Sequence, residues 1–208
     1  MMPTRRRLLA AAALAACAGA GAAAWARRER PPVADTGDDG PGEVCISAPT
    51  WAPGTLDLAS PERPAAVPAE ARCPVCGMYA ARWPRWASEV RYADGHAHFT
   101  DSPLCLFHYL QAVPRHARGR RREDIAGIWV QAHDGRGWLP LARAHFVHGS
   151  TAAGPMRRLN LPAFASQGDA ATFARAHGGQ VFAAAALQQR LPDELQRLAP
   201  HREHTPPG

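Results

Sequence analysis

Residues 88–107 read SEVRYADGHAHFTDSPLCLF, a stretch that carries the pattern of two strands and the start of a helix. Val90 and Tyr92 alternate with charged neighbours, and Ala97 and Phe99 resume the alternation after an Ala-Asp-Gly turn. A period of two is typical of strands, and an Asp-Gly pair between two such runs is typical of a tight hairpin. The sequence therefore predicts a β-hairpin here.

A helix is predicted directly after the hairpin. Asp101 or Ser102 is placed to cap its first turn, which also accommodates Pro103 because an N–H there would have no helical partner. Apolar side chains follow at helical spacing until Pro114, namely Leu104, Phe107 and Leu110. Residues 125–130, with the sequence IAGIWV, are predicted to return as a strand.

The same order of elements recurs in the second half of the chain. Its predicted segments are a strand at 144–148, an extended stretch at 159–164, a helix opened by Gly168-Asp169 and closed by Gly178-Gly179, and a last strand at 181–182. Phe99 to Phe107 and Phe164 to Phe173 occupy corresponding places, since each runs from a strand across a cap into a helix. We expect an α+β fold with two small ββαβ units in tandem, about residues 72–132 and 138–186, in one compact domain.

The N-terminal residues have the pattern of an export signal. Arginines at positions 5–7 precede an apolar run, and Leu-Ala-Ala-Cys at 14–17 resembles a lipoprotein cleavage site, which predicts a signal peptide at 1–16 and lipidation of Cys17. The paired arginines also fit a twin-arginine signal. An uncleaved membrane anchor at 8–26 is the alternative. Either reading places the rest of the chain on the periplasmic side of a membrane, and Ala18 in place of an aspartate favours the outer membrane.

The regions on either side of the predicted domain differ from it in composition. Residues 17–71 contain many prolines and little periodicity, which predicts a Pro-rich tether between the membrane and a domain that begins near Arg72. Residues 187–208 are predicted to begin with a short helix and otherwise to form a C-terminal tail. The tail contains His201 and His204.

The charge of the chain gives no indication of nucleic-acid binding. The formal net charge is +6, and removal of Arg5, Arg6 and Arg7 with the signal peptide would leave +3. Nucleic-acid binding would require a concentrated basic stripe and a recognisable module. The arginine cluster at 118–122 is better explained as a solvated loop. Hydrolase and nucleotide-binding motifs are also missing from the sequence, so we expect no enzyme of those classes.

Residues 73–78, with the sequence CPVCGM, place two thiols and a thioether within six positions. Monovalent copper prefers cysteine and methionine sulfur, whereas zinc takes no thioether. Pro74 restricts one side of the loop and Gly77 permits a positive φ, so the sulfurs can turn toward one centre. The sequence therefore predicts a copper(I) site here, with Cys73, Cys76 and Met78 as candidate donors.

Other roles for the cysteines remain open. Cys73 and Cys76 also match a thiol-disulfide oxidoreductase motif, although Gly77 interrupts the run and no amphipathic helix follows it. A disulfide between Cys45 and Cys105 is a further alternative, and Cys105 reads otherwise as a small buried hydrophobic residue. A zinc-stabilised module would need four donors, which no second Cys-x-x-Cys and no suitably spaced histidine pair supplies. His96 and His98 share one face of the hairpin and are further candidates for completing a metal site.

Taken together, the order of these motifs resembles the nitrous-oxide-reductase accessory lipoproteins, the NosL-like proteins. The resemblance covers roughly residues 72–186. It rests on motifs from the whole chain, in this order: the lipoprotein signal, Cys76-Gly77-Met78, the Asp94-Gly95 hairpin with Phe99-Thr100-Asp101-Ser102, Ile128-Trp129-Val130 before Trp138, residues 144–150, Gly154-Pro155-Met156, and the closing Phe173 to Gly178-Gly179. It implies the same paired ββαβ fold.

The resemblance also implies a function and a set of ligands. It implies a membrane-anchored, periplasmic metallochaperone that binds one copper(I) ion and passes it to a copper acceptor during assembly of nitrous oxide reductase. The family's Cys-Gly-Met element is carried onto Cys76 and Met78, and its second glycine-methionine element onto Met156. This chain has Gly-Pro-Met-Arg where relatives often have Gly-Gly-Met-Gly, which leaves open a branch that serves another copper acceptor.

Overall fold

The computed structural model describes residues 48–55, 64–157 and 159–196. The predicted signal peptide at 1–16, the lipidation site Cys17, the alternative anchor at 8–26 and Cys45 lie outside the described residues, as do His201 and His204. Within the described residues, no helix has the length and apolar character needed to cross a membrane.

The first repeat unit is a ββαβ element. Its parts are β1 (Ser88–Tyr92), β2 (Ala97–Thr100), α1 (Pro103–Gln111), the short α2 (Val113–His116) and β3 (Ile125–Gln131). Strand β1 lies in the middle and pairs antiparallel with both β2 and β3. The hydroxyl of Ser102 caps α1 by accepting a hydrogen bond from the N–H of Cys105 at 3.2 Å, so Ser102 rather than Asp101 is the cap. The predicted hairpin, helix and strand are all present.

The second repeat unit has the same order and the same pairing. It consists of β5 (His145–His148), β6 (Ala163–Phe164), α3 (Gln167–His177) and β7 (Gln180–Ala183), with β5 in the middle of the sheet order β6-β5-β7. Ser166 caps α3 through the N–H of Asp169 at 3.0 Å, and Gly178 ends the helix. The first sheet has the corresponding order β2-β1-β3, so the predicted tandem of ββαβ units in an α+β fold is confirmed.

Strand β4 (Trp138–Pro140) belongs to the first sheet. It pairs antiparallel with β3 and extends that sheet to the order β2-β1-β3-β4. These residues were predicted to belong to the second unit because they directly precede its first strand. In the structure, they instead complete the edge of the neighbouring sheet.

The two units share one hydrophobic core. The rings of Phe107 from α1 and Phe146 from β5 meet edge to face, with 5.2 Å between their centroids. Buried residues of both units surround them, including Leu104, Val130 and Leu161. Because each unit contributes to the same core, neither can bury its apolar surface without the other.

Both faces of β1 are covered, which the alternating sequence pattern did not indicate. All five of its residues are buried, including Glu89 and Arg91, which form an ion pair. The Glu89 carboxylate also accepts a hydrogen bond from the N–H of Ala65 at 2.7 Å, and Arg91 lies over the ring of Trp129. The charged face is therefore enclosed by the chain that precedes Arg72.

That preceding chain packs against the domain in two places. The backbone of Trp51 exchanges two hydrogen bonds with Ala97, each 2.9 Å long. Ala65 and Ala71 are buried in a small cluster with Phe99. These residues fall within the range 17–71 that was predicted as a tether, so the ordered part of the chain starts before position 72.

The C-terminal end of the described chain also packs into the core. Helix α4 (Ala184–Gln189) begins before the predicted position 187. Leu187, Leu191 and Leu195 are all buried in the shared core. Residues 187–195, predicted as the start of a tail, are therefore part of the folded domain, because their leucines complete the apolar surface beside α1.

Candidate metal centre

The turn at residues 73–78 brings its two cysteines onto the same side. Its backbone closes through hydrogen bonds from the N–H of Cys73 to the carbonyl of Met78 and from the N–H of Gly77 to the carbonyl of Cys73, both 2.8 Å long. Gly77 has a φ of 75°, a conformation that other residues seldom adopt. Gly77 thus has the positive φ that the sequence predicted for it.

The start of α1 supplies two more donors. Asp101 stands directly before the cap residue Ser102, and Cys105 is the residue whose N–H the cap accepts. Both Asp101 and Cys105 have a relative exposure of 0%. The cap that starts the helix therefore also places a carboxylate and a thiol beneath the turn at 73–78.

These two elements form one cluster of four donors. The sulfur atoms of Cys73, Cys76 and Cys105 and a carboxylate oxygen of Asp101 all lie within 4.8 Å of one another. The three cysteines are free thiols. Cys73 and Cys105 are buried, whereas Cys76 is partly exposed, so the cluster is open to solvent on the side of Cys76.

Met156 approaches the cluster from the second unit. Its sulfur lies 4.0 Å from the sulfur of Cys105. The loop is held by Asn160, which is 2% exposed and accepts from the N–H of Met156 at 3.0 Å while donating to the carbonyls of Ala152 and Arg157. The predicted proximity of Met156 to the cysteine site is therefore present in the structure.

The backbone of the Met156 loop explains part of its sequence. A Cβ atom added to Gly154 would lie 2.6 Å from the indole of Trp86, so only glycine fits there without a shift. Arg157 has a φ of 55° and is the one non-glycine residue with a positive φ in the described chain. A glycine after the methionine would adopt this conformation without strain.

Met78 is oriented differently from Met156. Its side chain is 40% exposed and is the only large hydrophobic one that is exposed in the described part of the chain. Met78 thus ends the same turn that carries Cys76 but faces solvent. Of the four sulfur residues predicted as metal donors, the structure places Cys73 and Cys76 in the cluster, Met156 beside it and Met78 at its surface.

The three thiols differ in acidity because their surroundings differ. Hydrogen bonds from Cys105 and then Cys73 to its sulfur lower the pKa of Cys76 to about 5, although partial burial opposes the shift. Burial raises the pKa of Cys73 to about 11. The pKa of Cys105 is raised, first by its hydrogen bonds to the other two cysteines. At neutral pH the cluster therefore presents one thiolate, at Cys76, stabilised by two neutral thiols.

Asp101 is a buried carboxyl group that accepts a hydrogen bond from Cys76. Its Oδ1 lies 3.2 Å from the Cys76 sulfur. Burial, and then the nearby Cys73, raise the pKa of Asp101 to about 7. The other oxygen, Oδ2, is buried without a hydrogen-bond partner.

The histidines of the hairpin are not part of this cluster. His96 pairs with Asp94 at 3.2 Å on the surface, and His98 is buried with its Nε2 3.1 Å from the hydroxyl of Thr50. Burial lowers the pKa of His98 to about 4, which keeps the ring neutral. The histidine candidates of the sequence analysis therefore do not join the cysteines in the described chain.

Two metal donors, Cys105 and Asp101, were not predicted from the sequence. Cys105 is buried as predicted, but it faces the other thiols, and Asp101 is a buried donor rather than the helix cap. The expectation that four donors for zinc are lacking was wrong, because Cys73, Cys76, Cys105 and Asp101 meet. The available signal was the spacing of Asp101 and Cys105 around Ser-Pro, which puts both at the first turn of a helix.

Comparison with models of known protein families identifies one family. The sequence model of the NosL family matches residues 64–192 of the chain. No curated protein sequence matches the chain. Among solved structures, the crystal structure of the copper chaperone NosL from Shewanella denitrificans is similar, with 20% sequence identity and a TM-score of 0.48, over 59% of this chain and 93% of that one.

Proposed function

The chain belongs to the NosL family, and from this premise we propose that it is a metallochaperone that binds one copper(I) ion and hands it to an acceptor. The observation that carries the proposal is the gathering of soft donors. Cys105 lies within 4.8 Å of the sulfurs of Cys73 and Cys76 and 4.0 Å from the sulfur of Met156. Thiolate and thioether sulfur are the ligands that monovalent copper prefers.

Cys76 is the principal ligand in this proposal. Its lowered pKa makes it the thiolate of the cluster at neutral pH, and a thiolate is the form of cysteine that binds metal. Met156 supplies a thioether from the other unit, and Cys73 is a second thiol that can bind the ion. Met156 belongs to the second unit and the cysteines to the first, so the copper site depends on both units being folded together.

Transfer of the ion would proceed by ligand exchange and would not involve catalysis. An incoming ligand from the acceptor can approach on the side of Cys76, because Cys73 and Cys105 are buried and Cys76 is not. Met78 is exposed at the same turn and can hold the ion while a buried donor is released. A low-coordinate site near the surface exchanges one ligand at a time, which suits a protein that must give its metal away.

The acceptor is proposed to approach the turn with an acidic surface. Residues 71–87 contain three arginines and no carboxylate, and Arg72, Arg82 and Arg85 are exposed. Arg72 and Arg82 lie over the ring of Tyr79, next to Met78, with 4.1 and 4.8 Å between each guanidinium carbon and the ring centroid. Complementary charge at this rim would orient the acceptor and make transfer slower at high salt.

The cellular setting is proposed from the N-terminal sequence and the family. A lipoprotein signal with Cys17 would hold the domain at the periplasmic side of a membrane, with the outer membrane favoured by Ala18. The acceptor in that compartment would belong to the machinery that assembles a copper enzyme, for which we propose nitrous oxide reductase. A complementation assay checks this: deletion of the gene should leave that enzyme short of copper, and the intact chain should restore it.

Copper binding is tested by anaerobic titration of the reduced, metal-free full chain with copper(I) against a chromogenic chelator. We expect one tightly bound ion, a loss of at least about a hundredfold in affinity for Cys76→Ser, and a loss of about tenfold for Met156→Leu. Cys45→Ser is the matched control, since Cys45 is not among the proposed copper ligands. This variant should bind copper(I) as the wild type does. Failure of the wild type to compete with the chelator would refute the proposal.

A thiol-disulfide oxidoreductase is the second candidate, favoured by the lowered pKa of Cys76 beside the buried Cys73. Glutathione exchange by the metal-free chain distinguishes the two functions. Met156→Leu should weaken copper binding and leave disulfide exchange unchanged, because a thioether takes no part in exchange. A chain that cycles readily between thiols and disulfide, and that does not bind copper(I), would favour the oxidoreductase.

A further inference from the structure

The cluster contains a donor set that copper(I) does not require. Three thiols and one carboxylate, from Cys73, Cys76, Cys105 and Asp101, have donor atoms that all lie within 4.8 Å of one another. Four donors at comparable mutual distances are what a tetrahedral metal site needs. They come from two elements, the turn at 73–78 and the first turn of α1, so an ion among them would join these elements.

Asp101 provides an independent indication of a ligand. The residue has no exposed surface, and its Oδ2 atom has no hydrogen-bond partner in the described structure. Buried polar atoms in proteins are nearly always paired, and a carboxylate oxygen is costly to leave unpaired. An oxygen of this kind beside three thiols is suited to a metal that accepts hard and soft donors together.

The chemistry of the four donors selects the class of metal. Zn²⁺ accepts cysteine sulfur and carboxylate oxygen together and is bound with four ligands in structural sites, whereas copper(I) favours sulfur. We propose that Cys73, Cys76, Cys105 and Asp101 form a four-coordinate site for a divalent cation of the zinc class, which occupies the pocket when copper(I) is absent. Binding displaces the protons of the thiols and of the carboxyl group to solvent and involves no change in oxidation state.

Two overlapping donor sets then share the same pocket. Both use Cys76, but the zinc set depends on Asp101 and the copper set on Met156, which zinc does not bind. Because both ions would draw on the same thiols in one pocket, we expect the two metals to compete for it. A divalent ion in the pocket would also protect the three free thiols until copper arrives.

The test uses Co²⁺, which reports tetrahedral thiolate ligation through intense visible absorption, on the reduced, metal-free full chain. We expect one Co²⁺ per chain and its displacement by an equivalent of Zn²⁺. Asp101→Asn should weaken Co²⁺ and Zn²⁺ binding by about tenfold to a hundredfold. Met156→Leu is the matched control, with unchanged Zn²⁺ binding. Measured beside copper(I), the two variants should shift the ratio of the two affinities in opposite directions.

Asp101→Cys keeps the test decisive if removal of the carboxylate impairs folding. It replaces the oxygen donor with sulfur and should retain Zn²⁺ as a Cys₄ site, with a rise in melting temperature when Zn²⁺ is added. Absence of the tetrahedral Co²⁺ spectrum in the wild type, or equal Zn²⁺ affinity of Asp101→Asn and wild type, overturns the inference. Tight Zn²⁺ binding without copper(I) binding would support it and refute the proposed chaperone function, so the two ideas fail separately.

Discussion

The two ββαβ units have the same topology and the same helix cap but different chemistry at the same position. Ser102 caps α1 through the N–H of Cys105, and Ser166 caps α3 through the N–H of Asp169. Cys105 is fully buried in the thiol cluster, whereas the Asp169 side chain is 39% exposed and pairs with Arg136 at 2.9 Å. Equivalent backbone geometry therefore does not by itself create a metal site.

The connections between strands differ as well. In the first unit a tight turn joins β1 and β2, with Gly95 at a φ of 83°. In the second unit residues 149–162 connect β5 and β6, and this longer loop carries Met156 toward the first unit. The first unit therefore supplies the buried donors, and the second unit supplies the loop that brings Met156 to them. One site is thus divided between the two repeats of the fold.

The largest predicted effect tests whether the two units are one cooperative structure. Phe146→Ala should lower the free energy of unfolding by about 3–5 kcal/mol, because Phe146 is completely buried against Phe107 of the other unit. Urea unfolding followed by far-UV circular dichroism and by tryptophan fluorescence should give one coincident transition. Phe173→Ala is the control, with a smaller loss, because Phe173 is only partly buried and packs against a separate cluster. Two separate transitions would contradict a shared core.

The next prediction concerns the acidity of the cluster, all of whose thiols lie in or before the first unit. In the reduced, metal-free chain at pH 7, iodoacetamide should alkylate Cys76 at least about a hundredfold faster than Cys73. The pKa of Cys76 is lowered to about 5, so its thiolate is present at pH 7 and its reactivity falls as the pH drops through that value. The pKa of Cys73 is raised to about 11, so its thiol stays protonated. Peptide mass spectrometry after timed labelling gives the ratio, and equal labelling would contradict the assignment.

A direct comparison of the two equivalent helix positions follows. Cys105→Ala should lower copper(I) affinity by about tenfold to a hundredfold, because it removes the hydrogen bond that contributes most to the lowered pKa of Cys76. Asp169→Ala should leave copper affinity unchanged. Competitive chelator titration of both variants measures the difference. An equal loss in both would mean that the two caps affect the site only through the stability of the fold.

The caps themselves should differ in their contribution to stability. Ser102→Ala and Ser166→Ala each remove a hydrogen bond to the third residue of a helix, a change that costs about 0.5–2 kcal/mol. Ser102 is buried and Ser166 is exposed, so the loss should be at the upper end for Ser102 and at the lower end for Ser166. Chemical denaturation of the two variants measures the order, and a reversed order would show that burial does not set the strength of these caps.

The smallest effect is a gain in stability in the loop of the second unit. Arg157→Gly should stabilise the chain by up to about 1 kcal/mol, because Arg157 has a φ of 55°, which glycine adopts without strain. Arg85→Gly is the control and should not stabilise, since Arg85 has no positive φ. Thermal melts of the two variants compare them. A loss of stability in Arg157→Gly would show that the arginine side chain makes contacts that outweigh the strain.

Much of the fold could be predicted because its signals are local. The alternation around Asp94-Gly95, the Ser-Pro start of α1 and the closing glycine of α3 each act within a few residues, and the structure contains all three elements. The burial of Glu89 could not be read from the alternation, because it depends on the N–H of Ala65, a residue 24 positions away. Likewise, the leucines after α4 were assigned to a tail because nothing near them in sequence indicates that α1 would cover them.

Local signals are sufficient to predict the two ββαβ units and the Cys-x-x-Cys-Gly-Met turn, since periodicity, caps and turn residues act over short distances. Which sulfurs meet depends on the tertiary structure. It brought Cys105 and Asp101 under the turn and set Met156 4.0 Å from Cys105, while Met78 faces solvent. The physical reason is that donors separated by 25 and 51 positions come together only when the shared core packs α1 and the loop of the second unit against one another.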